Sequence, residues 1–361
     1  MGHALTGGLS GNGTYTQRCQ HWLQRKTGVP RSFLTSSGTD ALEMAAHLAD
    51  LKPGDEVIMP SYTFSSTANA VVLRGAIPVF VDIRKDTLNI DERLIERAIT
   101  PRTRAICPVH YAGVGCAMDE ILTLARRHKL SVIEDAAQGV AASYRGRPLG
   151  SFGDFGAFSF HASKNIISGE GGALLVKNAR KAKRAEIIWE KGTNRAQLIR
   201  GEVDKYTWVD IGSSFLMSEV SAALLWTQLQ SAMAITAPRL RLWNSYHKAL
   251  AGLEGKGLLR RPVIPEECQH NGHIYHILLP TPALREALRK HLRHHRIEAC
   301  FHYVPLHSSP AGRRFGRTAS PMSVTNRAAA TLLRLPLFPG LAVAEQQRII
   351  DLVSGFLTRS F

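Results

Sequence analysis

The residue best placed for covalent chemistry in this sequence is Lys164, which ends the stretch Phe158-Ser-Phe-His-Ala-Ser-Lys164. The stretch begins as an apolar strand, and the glycines of Gly169-Glu-Gly-Gly172 follow it and permit close approach of the backbone. A lysine in such a place can lie in a desolvated pocket, where its amine becomes nucleophilic and forms a Schiff base. Most lysines are simply solvated, so this interpretation depends on which other groups reach the same place.

A second candidate is Asp135 in Val132-Ile-Glu-Asp135, an acid at the position where a buried parallel strand should end. A carboxylate there could pair with the N–H of a protonated heteroaromatic ring and keep that ring an electron sink. The alternative is structural: Asp135 caps a following helix, with Gln138 as its reciprocal partner in a capping box. The local sequence leaves both interpretations open.

A third candidate is the turn Thr35-Ser-Ser-Gly-Thr-Asp40, which leads directly into a strong helical pattern. Backbone N–H groups at a helix start, together with hydroxyl side chains, can hold a phosphate with help from the helix dipole. The same turn also fits a capping box, Ser37-x-x-Asp40, which needs no ligand. Phe64 follows another strand-like run, and its ring could stack on a ligand or belong to the core or a lid.

The pattern of elements predicts how these groups are brought together. Strand-like and helical segments alternate from about residue 50 to 140, which predicts a parallel, doubly wound α/β sheet. The predicted order is strand Glu56–Met59, helix Ala68–Arg74, strand Ile77–Asp82, helix Glu92–Ile99, strand Arg104–Val109, helix Asp119–His128 and strand Leu130–Ile133. Sites in such sheets lie at the carboxyl ends of the strands, so the turn, the acid and the lysine are expected to meet at that edge.

The C-terminal part of the sequence has a different pattern. Strand Ala173–Val176 is followed by a long helical stretch from Ser218 to about Leu253, and residues 262–271 indicate a linker. Beyond it we predict strand Ile274–Leu279, helix Pro282–Arg296, a strand-like run Ile297–Val304, a mobile polar loop Gly312–Ser323 and two final helices. The sequence therefore predicts a large domain over residues 1–235 and a small α+β domain, with its connecting helix, over residues 236–361.

Composition restricts the class of protein. No run of about 18 apolar residues predicts a membrane span, and the first eight residues lack the charged and apolar regions of a signal peptide. The five cysteines are scattered, which indicates reduced thiols rather than disulfides or zinc ligands. We therefore expect a soluble cytoplasmic protein with no membrane insertion and no metal site.

The formal net charge of +16 favours polyanionic partners without choosing among them. The densest basic segment, Arg289–Arg296, fits the solvated face of an amphipathic helix better than a nucleic-acid site. Nucleic acid is therefore not predicted as a partner. A non-catalytic polyanion-binding protein remains the alternative that charge alone suggests.

Taken together, these motifs resemble the DegT/StrS family of nucleotide-sugar aminotransferases, and the resemblance spans nearly the whole chain. The stretches that carry it are Ser36-Ser-Gly-Thr39, Pro53-Gly-Asp-Glu-Val-Ile58, Tyr62-Thr-Phe64, Glu134-Asp-Ala-Ala-Gln138, Ser159-Phe-His-Ala-Ser-Lys164 and Gly169-Glu-Gly-Gly172. The resemblance implies the aspartate-aminotransferase-like fold, which is fold type I of the enzymes that use pyridoxal 5'-phosphate. It also implies a homodimer with active sites at the subunit interface.

The resemblance assigns roles to individual residues. Lys164 would carry pyridoxal phosphate, Asp135 would pair with the pyridine nitrogen, Gln138 would lie beside the ring, and Phe64 would stack on it. The cofactor phosphate would be held by three residues: Gly38, Thr39 and Ser159. The amino donor would be L-glutamate, and the acceptor a dTDP-linked keto-sugar.

Within the family, the sequence resembles the subgroup that aminates C4 of dTDP-4-dehydro-6-deoxy-D-glucose. The stretches concerned are Glu190–Arg195, Lys205–Trp208, Asp210–Ser218 and Phe301–His307. This resemblance implies the product dTDP-4-amino-4,6-dideoxy-D-galactose, used for cell-surface polysaccharides such as lipopolysaccharide or enterobacterial common antigen. Amination at C3, or of another nucleotide sugar, is the alternative.

Four further residues receive less direct roles. Ser214 stands where many members have Asn, and by resemblance it would reach the cofactor phosphate of the neighbouring subunit. The small domain would offer three substrate-lining candidates, although a packed strand end is the alternative for some of them: His302, Tyr303 and His307. Members usually carry further residues before the segment that matches Gly7–Gly13, a difference that could alter dimer contacts or reflect only the chosen start codon.

Overall fold

The structure is a computed structural model that describes residue 9 and residues 11–359. The stretch 1–8, in which we expected no signal peptide, lies outside the described residues, as do residues 10, 360 and 361. The segment Gly7–Gly13, before which members of the family usually carry further residues, therefore lies partly outside the described residues.

The centre of the molecule is one large, mostly parallel sheet. In chain order the strands of the described residues are β1 (Arg31–Thr35), β2 (Glu56–Pro60), β3 (Ile77–Val81), β4 (Thr103–Ile106), β5 (Ser131–Asp135), β6 (Ser143–Tyr144), β7 (Arg147–Pro148), β8 (Phe155–Ser159), β9 (Gly172–Val176), β10 (Cys268–Gln269), β11 (Tyr275–Leu278), β12 (Arg317–Thr318) and β13 (Leu332–Leu335). Eight of them form the sheet, in the order β1-β9-β8-β5-β4-β2-β3-β12. Only β9 runs against its neighbours, β1 and β8, so the predicted α/β sheet is confirmed.

Helices cover both faces of this sheet and build the C-terminal part. Within the described residues they are α1 (Thr14–Thr27), α2 (Gly38–Leu48), α3 (Ser65–Val72), α4 (Glu92–Ala98), α5 (Met118–His128), α6 (Ala179–Trp189), α7 (Arg195–Ile199), α8 (Glu219–Gln230), α9 (Ala232–Ala249), α10 (Ala251–Gly255), α11 (Pro282–His294), α12 (Pro310–Phe315), α13 (Ser323–Thr331) and α14 (Val343–Arg359). The helical stretch expected from Ser218 to Leu253 is thus divided among α8, α9 and α10.

The connection from β4 to β5 illustrates how the sequence builds the sheet. Helix α5 buries Met118, Ile121 and Ala125 against it. Its first turn is acidic and its last turn is basic, which complements the helix dipole at both ends. Strand β5 then emerges with all but its first residue buried, as expected for a strand covered on both faces.

The C-terminal part has its own hydrophobic core, formed by residues between Leu242 and Leu357. Strands β11 and β13 pair antiparallel within it. The predicted boundary at residue 235 lies inside α9, and β12 leaves the small core to join the large sheet beside β3. The division at residue 235 stays a prediction.

Two expectations for the C-terminal part are wrong, and one strand was not predicted. The run 297–304 is not a strand, because it contributes one isolated bridge, between Cys300 and Arg334. The loop expected at residues 312–323 contains part of α12 and all of β12, and a Cβ at Gly316 would lie 2.9 Å from the carbonyl oxygen of Pro78, so the chain packs tightly there. Strand β13 was missed altogether.

The basic segment behaves as an amphipathic helix. Leu288 and Leu292 are the buried residues of α11, and the arginines lie on its other faces. Among the described residues, no helix is both long enough and apolar enough to cross a bilayer.

Candidate active site

The predicted turn, acid and lysine line one cavity with a volume of about 420 Å³. It lies at the carboxyl ends of the parallel strands, where such sheets place their ligands. Nine of the eleven residues proposed for the site line it: Gly38, Thr39, Phe64, Asp135, Gln138, Ser159, Lys164, His302 and Tyr303. Ser214 and His307 do not. The chemical roles assigned to these residues stay predictions.

The turn Thr35–Asp40 fits both of the interpretations considered for it, a helix cap and a phosphate site. Ser37 caps α2, because its Oγ accepts a hydrogen bond of 3.0 Å from the Asp40 N–H. The first N–H groups of a helix have no acceptor within the helix, so Gly38 and Thr39 can still offer theirs to an anion. The Thr39 hydroxyl lies 2.7 Å from the hydroxyl of Ser66, which also lines the cavity. A cap and a phosphate cradle are therefore compatible here.

The helix-cap interpretation of Asp135 is wrong, because residues 136–142 form turns and no helix begins there. One carboxylate oxygen accepts a hydrogen bond of 3.1 Å from the Ala137 N–H, and the other accepts one of 2.6 Å from the Thr67 hydroxyl. Only 5% of Asp135 is exposed, and it lines the cavity. Two hydrogen bonds thus fix a carboxylate at the end of β5.

Gln138 is not the capping partner of Asp135 either. Its Oε1 accepts a hydrogen bond of 2.7 Å from the backbone N–H of Ala112, which fixes the orientation of the amide. Its Nε2 therefore donates to the Tyr303 hydroxyl, at 2.7 Å. This contact ties the large-domain side of the cavity to the C-terminal part.

The acid next to Asp135 has a structural role. Glu134 is fully buried, and its oxygens accept hydrogen bonds from the backbone N–H groups of Gly150, Phe152 and Gly153. The same carboxylate lies 2.8 Å from Nε2 of His110. Because all these contacts lie within the protein, Glu134 is not available to a ligand, and Asp135 is the acid of the pair that faces the cavity.

Lys164 lies on the loop after β8, as the sequence predicted, and is half-buried. Burial lowers the pKa of its amine, Asp135 raises it, and Arg334 lowers it again. The net direction is downward, which increases the fraction of neutral amine. A neutral amine is the form that attacks a carbonyl group.

The C-terminal part supplies four cavity-lining residues that matter here, and the sequence predicted two of them. His302 hydrogen-bonds through Nδ1 to the Tyr111 hydroxyl, at 2.7 Å, and Tyr303 binds Gln138. Sequence reasoning missed His273, which lies just after the segment interpreted as a linker, and Arg334, which lies on the missed strand β13. An arginine between the leucines of residues 332–335 was the available signal, since a charge inside a buried strand is unusual.

The remaining proposed residues lie outside the cavity or at its mouth. His307 hydrogen-bonds to Ser61, with Nδ1 2.7 Å from the hydroxyl, so its described contact is with a packed strand end. Ser214 is exposed, and its backbone forms an isolated β-bridge with the backbone of Glu190. Phe64 is 60% exposed and forms part of the cavity wall, so its ring is accessible for stacking.

The fold and this site define a class of α/β enzyme in which a helix start, a strand-end acid and a loop lysine share one cavity. The chain belongs to the DegT/DnrJ/EryC1/StrS aminotransferase family, whose model matches residues 2–354. Enzymes of this family depend on pyridoxal phosphate, so the chain is a pyridoxal-phosphate-dependent sugar aminotransferase.

Several known proteins are similar to this chain. The dTDP-3-amino-3,4,6-trideoxy-α-D-glucose transaminase of Streptomyces venezuelae is 36% identical over 90% of this chain and 82% of its own length. The spore coat polysaccharide biosynthesis protein SpsC of Bacillus subtilis is 32% identical over 97% and 91%. The solved structure of S. venezuelae DesV superposes with a TM-score of 0.90 at 32% identity, covering 99% of this chain and 92% of that one. These similarities confirm the predicted fold class.

The residues of the cavity fit the cofactor. Pyridoxal phosphate has a phosphate, a ring nitrogen, a ring face and an aldehyde. The cavity offers the start of α2, the Asp135 carboxylate, the Phe64 ring and the Lys164 amine, each lining the same space. The cradle also requires glycine, because a Cβ at Gly38 would lie 2.8 Å from Cβ of Ser159.

Gly38→Ala is therefore expected to weaken cofactor binding. Overpacking of this kind costs about 1–3 kcal/mol, so the dissociation constant for pyridoxal phosphate should rise roughly 5- to 100-fold. Alanine favours a helix over glycine, so a loss cannot come from helix propensity. Absorbance titration with the cofactor measures the change. The control is Gly252→Ala, where an added Cβ meets nothing within 4 Å; equal effects of the two variants would contradict the cradle.

Proposed function

We propose that this enzyme transfers the amino group of L-glutamate to C4 of dTDP-4-dehydro-6-deoxy-D-glucose, giving dTDP-4-amino-4,6-dideoxy-D-galactose. The observation that carries the transaminase chemistry is the presence of Lys164 and Asp135 in one cavity with the start of α2. The choice of C4 is supported by the stretches 213–218 and 302–307, which resemble the C4-aminating subgroup. A role in cell-surface polysaccharide synthesis fits this product, and SpsC is a polysaccharide biosynthesis protein by name.

The side chains of the cavity would divide the work. Pyridoxal phosphate, when bound, supplies an aldehyde that accepts amino groups and a ring that withdraws electrons. The Lys164 amine would anchor the cofactor. Once released, it would take the proton from the α-carbon of glutamate and deliver it to C4′ of the cofactor. Asp135, held by Thr67 and Ala137, would keep the ring nitrogen protonated. The same groups would act in reverse order on the sugar.

We further propose that the enzyme acts as a homodimer. Large apolar side chains are exposed close together in residues 199–211: Ile199, Tyr206, Trp208, Val209 and Ile211. Trp208 is 78% exposed, and exposed apolar patches of this kind mark interaction surfaces. Ser214 follows this segment, which fits a contact from one subunit to the cofactor phosphate of the next. The cytoplasm is the proposed location, because all five cysteines are free thiols.

Product analysis tests the position of amination. The purified enzyme, L-glutamate and either the 4-keto or the 3-keto dTDP-sugar are incubated separately, and NMR identifies the product. We expect turnover of the 4-keto sugar, with the new amine axial at C4 as in the galacto configuration. The control reaction omits the sugar and follows loss of the yellow colour on addition of glutamate, which reports the donor half-reaction alone.

Amination at C3 is the second candidate, and the S. venezuelae relative favours it. That protein is named for a 3-amino sugar and is 36% identical to this chain. The same groups can serve either carbon, because the position is set by how the pocket places the nucleotide and the sugar. Turnover of the 3-keto sugar alone would overturn the choice of C4 and leave the transaminase intact. Turnover of neither sugar, with loss of colour, would point to another nucleotide sugar.

A further inference from the structure

The structure contains a second cavity, with a volume of about 480 Å³, that shares no lining residue with the active site. One side of it is the loop after β3, which contributes Lys85 and Leu88. The other side belongs to the C-terminal part and is formed by residues within 257–260, 278–280 and 323–331. Sites for small molecules have volumes of roughly 300–1,000 Å³, so this cavity is large enough for a ligand of its own.

The two sides of this second cavity are held together by a buried carboxylate. Asp82, which directly follows β3, accepts hydrogen bonds of 2.9 Å and 2.8 Å from the backbone N–H groups of Val324 and Thr325. The Thr325 hydroxyl donates a third hydrogen bond, of 2.7 Å, to the same carboxylate. These bonds fix the start of α13 against the end of β3, so the cavity is already formed without a ligand. Because they occupy two of the first N–H groups of α13, the charge that a ligand meets comes from side chains.

The three charged side chains that line the second cavity are all cations: Lys85, Arg260 and Arg327. Burial lowers the pKa of Arg260, and the nearby charge of Arg327 lowers it as well. Arginine nevertheless stays protonated in proteins, so like charges face one space. A cleft lined by a single sign of charge concentrates counterions of the opposite sign. The cavity is therefore electrostatically suited to an anion.

Arg260 is the cation with the least compensation from the protein. Its Nε is buried without a hydrogen bond, and within the part of the chain that the structure describes its guanidinium forms no ion pair. Asp86 and Glu254 raise its pKa from a distance, but each is bound to another arginine. Asp86 accepts a 2.7 Å hydrogen bond from Arg84, and Glu254 accepts one of 2.6 Å from Arg261. A partly buried charge is normally paired, so we expect its counterion from a ligand.

We propose that this second cavity binds a nucleoside diphosphate, with the diphosphate against the three cations and the nucleoside against the apolar wall. Guanidinium groups bind phosphate oxygens through paired, charge-assisted hydrogen bonds, and an ammonium group binds them as a point charge. Apolar side chains form most of the remaining wall, which favours an anion with a ring-bearing body over inorganic phosphate: Leu88, Leu259, Leu278, Leu279, Val324 and Ala328. A ligand here joins the loop after β3 to the C-terminal part without entering the active site.

Equilibrium binding tests the proposal without relying on turnover. Calorimetric titration of dTDP into the cofactor-loaded wild type, Arg260→Gln and Arg327→Gln compares the second cavity with and without its cations. In each variant the dissociation constant at this cavity should rise about 10- to 100-fold, because hydrogen bonds to charged groups are of that strength. Pyrophosphate and thymidine, titrated separately, should each bind more weakly than dTDP. Arg348→Gln, at an exposed position of α14, removes the same charge as a control and should bind dTDP as the wild type does.

The outcomes separate this proposal from the proposed function. If the active site also takes dTDP, the wild type shows two binding events and each variant keeps the active-site event. Identical dTDP titrations in the wild type and both variants overturn the proposal, and so does pyrophosphate that binds as tightly as dTDP. Arg327 is exposed, so its variant decides even if Arg260→Gln does not fold. A wild type that binds dTDP through Arg260 and Arg327 but aminates neither sugar would contradict the proposed acceptor alone.

Discussion

Lys164→Ala is expected to abolish transamination while the protein keeps its fold. The substitution removes both the covalent anchor of the cofactor and the base that moves the proton. Loss of a positioned base alone lowers a rate by about 10²- to 10⁴-fold, and loss of the anchor adds to this. The rate with L-glutamate and the 4-keto sugar measures the effect. Lys52→Ala, which truncates an exposed lysine, is the matched control.

Chemical labelling checks the same assignment independently. Borohydride reduction of the wild type, followed by peptide mapping, should place the pyridoxyl label on Lys164. A label found only on another lysine would contradict the assignment, whatever the rate of the variant. The lowered pKa of Lys164, caused first by burial, supports the expectation that its amine reacts in preference to solvated lysines.

The large sheet and most of the cavity could be predicted from the sequence because their signals are local. Strands β2 to β5 are short apolar runs rich in Val and Ile, and each is bounded by a helical pattern or a turn. The edge at which Gly38, Asp135 and Lys164 meet then follows from the general rule for parallel sheets. The prediction that these residues meet at that edge requires only the order of the motifs along the chain.

Strand β13 and Arg334 could not be predicted in the same way. Residues 323–335 continue one apolar pattern, and only pairing with β11, far earlier in the chain, makes the last four residues a strand. The place of Arg334 in the cavity wall depends on how β13 packs, and the spacing of residues in the sequence does not contain this information. His273 was missed for the same reason. The preceding segment, residues 262–271, resembles a linker in sequence, and only the packing of the folded chain places His273 in the cavity wall.

The acidic pair in β5 shows what the structure adds. Sequence alone could not tell which of Glu134 and Asp135 faces a ligand, nor whether Asp135 caps a helix. The structure distinguishes the two acids. The Glu134 carboxylate contacts four groups of the protein, whereas the segment after Asp135 forms turns and not a helix. Successive residues of a strand point to opposite faces, so one acid of the pair serves the fold and the other faces the cavity.

Asp135→Asn is expected to slow both half-reactions with little change in the free energy of unfolding. Asparagine keeps the shape and can still accept one of the two hydrogen bonds, from Thr67 or Ala137. It removes the negative charge that would hold the proton on the ring nitrogen. A charge-assisted hydrogen bond is worth about 1.5–3 kcal/mol, so single-turnover rates should fall at least about tenfold, and stability should change by about 1 kcal/mol or less.

Two variants make the assignment of Asp135 specific. Asp154→Asn changes an acid just before β8 that accepts a backbone hydrogen bond from Val132 at 3.0 Å and does not line the cavity, so its rates should match the wild type. Thr67→Val keeps the Asp135 charge but removes its 2.6 Å donor, so it should give a smaller loss of rate than Asp135→Asn. Thermal melts beside stopped-flow rates decide the matter: if Asp135→Asn loses stability but keeps its rates, Asp135 serves the fold and another group must protonate the ring.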